Sequence, residues 1–77
     1  MENVNQQLLI KLGEHIAKIR MQKKLSLRQL ASRCNLDNAN ISKIEKGSVD
    51  IRISTLVELS TGLGVHPKKL LDFEVPG

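Results

Sequence analysis

The stretch SLRQLASRCNLDNANISKIEKG, residues 26–47, decides the fold of this chain. It opens on Ser26, followed three residues later by a glutamine, a capping-box pattern that predicts a helix over residues 27–34. Further along, Asp37 can cap a second helix over residues 38–46 with its carboxylate. Two short helices that meet at a tight polar turn have the outline of a helix-turn-helix motif.

The turn between these helices contains Asn35, where we expect a left-handed backbone, because asparagine adopts it more readily than most residues other than glycine. Gly47 is expected to end the second helix. The side chains expected to face the core from the motif are aliphatic or small: Leu30, Ala31, Cys34, Leu36, Ile41 and Ile44.

Helical periodicity continues on both sides of the motif. Apolar residues spaced by four, four and three predict an amphipathic helix over residues 6–24, in which Gly13 indicates a close approach by another helix. A fourth helix is predicted over residues 53–63, and Pro67 suits the first turn of a short fifth helix. The inward side chains of these last two helices are Leu56, Val57, Leu59, Leu63, Leu70 and Leu71.

The predicted architecture is therefore all-α, with five helices in one domain over residues 1–77. Its core spans about residues 6–71, and residues 1–5 and 72–77 form tails. Apolar residues make up 40% of the chain and aromatic residues 1%, so the core must be aliphatic. A chain of 77 residues buries only a modest fraction of its surface, and dimerisation would stabilise it.

Positive charge is concentrated in one segment of the chain. The formal net charge is +4, yet residues 18–33 contain six basic residues and no acidic one, a net charge of +6. Such a concentration is the electrostatic footprint of a polyanionic partner. A solvated helix face explains the charge alone equally well.

The sequence offers few groups for chemistry. His15 and His66 lack a constellation of catalytic partners, and Cys34 is expected to be a small core residue, with no disulfide or metal signature. No apolar run is long enough to span a bilayer, and no secretory or transit pattern is present. We therefore expect a cytoplasmic binding protein, not an enzyme, without cofactor, metal, membrane contact or small-molecule ligand.

The helix predicted over residues 38–46, called the reader helix below, exposes groups that fit the major groove of DNA. Asparagine can pair with adenine, lysine can donate to guanine, and an alanine methyl can contact the thymine methyl. The candidate base-reading residues are Asn38, Ala39, Asn40 and Lys43. The candidate phosphate contacts are Ser26, Leu27, Arg28, Ser42, Lys46 and Arg52, although capping alone also explains Ser26.

Glu45 lies beside the buried side of the reader helix and should not be left without a partner. Arg20, near the end of the first helix, is its natural partner. We therefore predict a partly buried Arg20–Glu45 ion pair that fixes the reader helix against the first helix.

These residues resemble the lambda repressor/Cro-type helix-turn-helix family, also called the XRE family. The matching segments, IAKIRMQKKLSLRQLA, NLDNANISKIEKG and STLVELSTGLGV, belong to a resemblance over about residues 12–71. The resemblance implies a homodimeric regulator that binds double-stranded DNA at an operator with two-fold symmetry. It also implies the ion pair and the base-reading residues given above.

The chain departs from the family pattern at four places. Leu27 stands where a DNA-contacting glutamine is frequent, so no side-chain contact is transferred to it. Asn35 replaces the usual glycine of the turn, and residues 51–52 replace a usual Pro-Ser. Gly62 replaces a usual alanine, which would loosen the fourth helix.

Two further choices stay open at this point. The stretch NLDNANIS and the small size look similar to restriction–modification controller proteins, but they also fit small phage repressors and antitoxins. A protein-interaction module is the alternative to DNA binding, and it would expose Leu, Phe or Met anchors. Candidates for such exposure lie near the C-terminus, where we expect Leu70, Leu71 and Phe73 to form a dimer contact, with a packed lid as the alternative.

Overall fold

The computed structural model describes residues 2–76, and these form an all-helical domain without a strand. The four α-helices are α1 (Glu2–Gln22), α2 (Leu27–Ser32), α3 (Asn38–Glu45) and α4 (Ile53–Leu63). The fifth element, Pro67–Leu71, is a 3-10 helix. The prediction of five helices is therefore wrong for the fifth one, which is not an α-helix. A five-residue segment that begins with proline is too short to form a run of α-helical hydrogen bonds.

Both ends of α1 differ from the sequence prediction. The helix begins four residues earlier than predicted and stops at Gln22, where the chain reverses through Lys24 at a φ of 58°. The Lys24 N–H donates to Met21 O at 3.0 Å, and the Leu25 N–H donates to Arg20 O at 3.1 Å. This pattern is a Schellman motif with lysine in its left-handed position.

The left-handed residue was predicted at the wrong turn. Asn35 has no positive φ, whereas Lys24 has one. The turn after α2 instead keeps its shape through the side chain of Glu58 in α4, whose Oε2 accepts a hydrogen bond from the Asn35 N–H at 3.2 Å. A distant carboxylate therefore stabilises a connection for which the sequence suggested a local solution.

The core is aliphatic, as the composition predicts. α1 packs against α3 and the 3-10 helix, while α2 packs against α3 and α4, and α4 also packs against the 3-10 helix. Val57 was predicted to face inward but is 44% exposed, and Leu71 is 49% exposed. The buried apolar residues are Leu12, Ile16, Ile19, Leu25, Leu30, Ile41, Ile44, Leu56, Leu59, Leu63 and Leu70.

Two buried glycines set the distances between helices. A Cβ atom on Gly13 would collide with the backbone of α3 at Ile44 and Glu45, which confirms the predicted close approach. A Cβ atom on Gly62 would lie 2.9 Å from Leu30 Cδ1 and 3.3 Å from Cys34 Cβ. Gly62 was expected to loosen α4, but here it lets α4 pack directly on Leu30 of α2 and on Cys34, which follows α2.

No helix within residues 2–76 is long and apolar enough to cross a membrane.

Candidate nucleic-acid interface

Local hydrogen bonds define where both helices of the motif begin. The Gln29 N–H donates to Ser26 Oγ at 3.0 Å, and the Ser26 N–H donates to Gln29 Oε1 at 2.8 Å, which confirms the capping box. At the start of α3, the Asn40 N–H donates to Asp37 Oδ1 at 2.7 Å. The cap uses Ser26 Oγ only as an acceptor, so its O–H remains able to donate to another group.

α3 separates an apolar side from a polar side. Ile41 and Ile44 are buried in the core, at 0% and 5% exposure. The four candidate base-reading residues, Asn38, Ala39, Asn40 and Lys43, are all exposed. The polar side of α3 thus presents short amides, one methyl group and one flexible cation, and no bulky side chain obstructs it.

The ion pair predicted between Arg20 and Glu45 is present. Arg20 Nε donates to Glu45 Oε2 at 2.7 Å, and Arg20 Nη2 donates to Glu45 Oε1 at 3.0 Å. The two side chains are 14% and 10% exposed. The hydrogen bond to Glu45 raises the pKa of Arg20 above its ordinary value, against the opposing effect of burial.

The same guanidinium makes a third hydrogen bond, which could not be predicted from the sequence. Arg20 Nη1 donates to Leu25 O at 2.8 Å, in the connection between α1 and α2. One side chain therefore joins the end of α1, the connection before the motif and the C-terminal end of α3. A bidentate guanidinium–carboxylate pair fixes direction as well as distance, so it restricts how α3 can tilt.

The candidate phosphate contacts differ in what they can offer. The side chains of Arg28, Lys46 and Arg52 are exposed cations, whereas Ser42 is half-buried. Leu27 is half-buried and packs against the core, so only its backbone N–H could contact DNA. Their contact with DNA stays a prediction.

A shallow depression of about 270 Å³ lies between α3 and the start of α4. Asn40 of α3 and Arg52 both line this depression, and Asp50 and Thr55 line it as well. From the sequence, Thr55 was considered only as a possible cap of the fourth helix. In the structure α4 begins after Arg52 and has no side-chain cap. The amide of Asn40 and the cation of Arg52 thus border one surface.

The predicted dimer contact requires a correction. Leu70 is 0% exposed and belongs to the protomer's own core. Phe73 also packs against this core, with its ring centroid 5.4 Å from that of His15. The His15 Nε2 also lies 2.7 Å from Lys69 O of the 3-10 helix. The alternative prediction was a lid over the fifth helix, whereas the structure places Phe73 of the tail against His15 of α1. Of the three predicted contact residues, Leu71 is the one that is largely exposed, and Phe73 is half-buried.

A different apolar surface is exposed on the same side of the molecule. Ile53 is 73% exposed and Val57 is 44% exposed, one turn apart on α4. Ile53 and Leu71 border a groove of about 140 Å³ that Leu8 and Leu9 of α1 also line. The sequence did not single out Ile53 because it also fits an inward helix position.

Cys34 was predicted to be a small core residue; in the structure it is half-buried and packs against the core. Its Sγ donates to Leu30 O at 3.3 Å. Burial raises the pKa of the Cys34 thiol, an effect that the backbone at Leu36 opposes and that the nearby Glu58 carboxylate reinforces. A raised pKa disfavours the thiolate, which is the reactive form of cysteine.

Comparison with known proteins connects this geometry to a family. Residues 16–70 match the helix-turn-helix family. Over 66 residues the chain is 38% identical to control protein C.BamHI of Bacillus amyloliquefaciens, covering 84% of this chain and 82% of that protein. The restriction–modification controller protein C.AhdI from Aeromonas hydrophila has a TM-score of 0.82 at 28% identity, covering 84% and 94% of the two chains. The wild-type controller C.Esp1396I has a TM-score of 0.78 at 35% identity, covering 84% and 86%.

Proposed function

Because the chain belongs to the XRE-type helix-turn-helix family of DNA-binding transcription regulators, we propose that it binds a specific operator as a homodimer. It acts by occupying DNA, without chemistry and without a cofactor, in the cytoplasm. Since its relatives include restriction–modification controller proteins, the genes it regulates are those of such a system. The observation that carries this proposal is the exposed polar side of α3 on a helix that Arg20 and Glu45 hold in place.

In this proposal α3 enters the major groove and its N-terminal half contacts base edges. Asn38 and Asn40 can each pair with N6 and N7 of an adenine, and Lys43 can donate to O6 and N7 of a guanine. Ala39 contacts a thymine methyl group. All four side chains are exposed, so no rearrangement of the core is needed for them to meet DNA.

The cations around α3 hold the protein on the phosphate backbone. Arg28, Lys46 and Arg52 are exposed and contact phosphates, while Ser26 and Ser42 contribute hydroxyl donors. The backbone N–H of Leu27 adds a further donor at the start of α2. Such contacts set the register on the duplex but carry no sequence information, and they make binding sensitive to salt.

A homodimer is proposed because one reader helix contacts too few base pairs to select a single site among many. The exposed apolar surface formed by Ile53, Val57 and Leu71 is where the second copy binds. Leu8 and Leu9 line the adjoining groove and extend this surface along α1. Large exposed aliphatic groups of this kind are stabilised by burial against another protein surface.

Selection of duplexes from a random pool tests the proposal. The protein should enrich a site with two-fold symmetry, whose half-site centres lie about 10–10.5 base pairs apart or a multiple of that. Enrichment of a site without symmetry would contradict the homodimer. Uniform binding to all duplexes would contradict sequence-specific regulation and would leave the basic segment as a solvated surface.

A further inference from the structure

The backbone of α1 lies unusually close to the C-terminal end of α3. Gly13 is buried, and a Cβ atom built on it would lie only 2.7 Å from the carbonyl carbon of Glu45. The carbonyl oxygens of Ile44 and Glu45 would be closer still. Since backbone atoms cannot rotate aside as a side chain does, any group larger than hydrogen at this position must displace α3 as a whole.

A second close contact lies one turn away. Gly47, which ends α3 at a φ of 72°, would place a Cβ atom 2.7 Å from both Cα and N of Ile10. Residues 10–13 of α1 therefore touch residues 44–47 through backbone on both sides. We call this contact the glycine seat. It lies on the same helix as Arg20, so α1 holds the end of α3 at two separate levels.

We propose that Gly13 is a positioning residue for the reader helix, because the glycine seat sets how far α3 stands from α1. This inference rests on the proposed operator binding. Ile10 and Gly13 precede the matched stretch of residues 16–70, so the seat adds to what the family match covers. The glycine seat fixes the position of the base-reading residues relative to the cations that contact the phosphates.

The two kinds of DNA contact respond differently to a shift of α3. Base-edge hydrogen bonds from a helix require placement within about 0.5 Å, as functional sites generally do. Phosphate contacts come from long flexible cations such as Arg28 and Arg52, which can follow a small displacement. A variant in which α3 is displaced should therefore lose affinity for the operator and keep most of its affinity for random DNA.

Gly13→Ala tests this inference. Relief of the overlap requires α3 to move by roughly 0.5–1 Å, which should cost one base contact. Operator affinity should then fall about tenfold, whereas affinity for random DNA should change less than about twofold. The control is Gly62→Ala, which crowds Leu30 and Cys34 between α2 and α4 and leaves the seat alone. Both affinities are measured by fluorescence anisotropy, at a temperature where circular dichroism shows the variants folded.

Ile10→Ala provides a second variant if Gly13→Ala does not fold. Ile10 is 46% exposed, so its truncation leaves the core intact. It keeps the backbone contact but removes Cγ1, the side-chain atom of Ile10 that packs beside Gly47, and so loosens the seat on that side. It should lower the ratio of operator affinity to random-DNA affinity by about two- to threefold, which corresponds to less than one base contact.

If the wild-type protein selects its operator and the folded variants keep its ratio of operator affinity to random-DNA affinity, the role of Gly13 is overturned. The proposed function then still stands. A reduced ratio in Gly62→Ala equal to that in Gly13→Ala also overturns it, because general destabilisation would then explain both. A wild-type protein without operator preference overturns the proposed function itself.

Discussion

The guanidinium of Arg20 meets the carboxylate of Glu45 through two hydrogen bonds, Nε to Oε2 at 2.7 Å and Nη2 to Oε1 at 3.0 Å. It joins α1 to the end of α3 and also donates to Leu25 O. An ion pair of this kind is costly to break because the remaining charge is left poorly solvated. The position of α3 therefore depends on a contact whose two residues lie 25 positions apart.

Arg20→Ala should lower the free energy of unfolding by roughly 3 kcal/mol, since it leaves the Glu45 carboxylate without its partner at 10% exposure. Arg20→Lys keeps the charge but not the two parallel hydrogen bonds, so its loss should be smaller. Urea unfolding measures both. Arg33→Ala, an exposed arginine on the same basic segment, is the control, and an equal loss in that variant would rule out a special role for the ion pair.

Lys24→Gly should stabilise the protein by about 1 kcal/mol, because glycine adopts a positive φ without the steric cost that lysine bears. For a domain of this size the melting temperature should rise by roughly 4–8 °C. The matched control is Lys23→Gly, one residue earlier and without a positive φ, which should bring no gain. A melting temperature that Lys24→Gly leaves unchanged would contradict the proposed strain at this turn.

Ile53→Glu should abolish dimer formation while the protomer stays folded. Ile53 is 73% exposed, so no core contact is lost, and an acidic residue suits the first turn of α4. Ser54→Glu adds the same charge at the next position and should leave the dimer intact. Sedimentation equilibrium measures both variants. Dimers of equal strength in both would place the interface elsewhere.

Cys34 should make stability depend on alkaline pH. Because burial raises the pKa of its thiol in the folded protein, the unfolded chain loses this proton first as the pH rises. The contribution to stability is complete below the pKa of the unfolded thiol, about 8.5, and is lost as the pH rises above it. Between about pH 8 and pH 10, wild type should therefore lose more stability than Cys34→Ser. Parallel curves for the two proteins would argue against a raised pKa.

Local chemistry made the starts of the motif helices predictable. Ser26 and Asp37 cap helices through hydrogen bonds that reach only three residues along the chain, so spacing alone identifies them. The ion pair was also predictable, because Glu45 flanks a buried stripe and requires a cation.

Other features could not be predicted because they depend on packing against residues that are distant along the chain. Lysine is not a signal for a left-handed turn, and Lys24 adopts one because Leu25 must enter the core. Leu70 and Leu71 are adjacent leucines, and only the packing of the 3-10 helix decides that Leu70 is buried and Leu71 exposed. The same limit explains Val57, whose exposure depends on which sides of α4 the other helices cover.

A comparison of two lysine variants tests most directly whether α3 reads bases. Lys43→Ala on α3 and Lys68→Ala on the 3-10 helix remove the same charge from exposed positions. Anisotropy titrations on the selected operator and on random DNA should show that Lys43→Ala loses about tenfold affinity for the operator and much less for random DNA. Lys68→Ala should change neither by more than about twofold. Equal losses on both DNAs for Lys43→Ala, or equal behaviour of the two variants, would contradict base reading by α3.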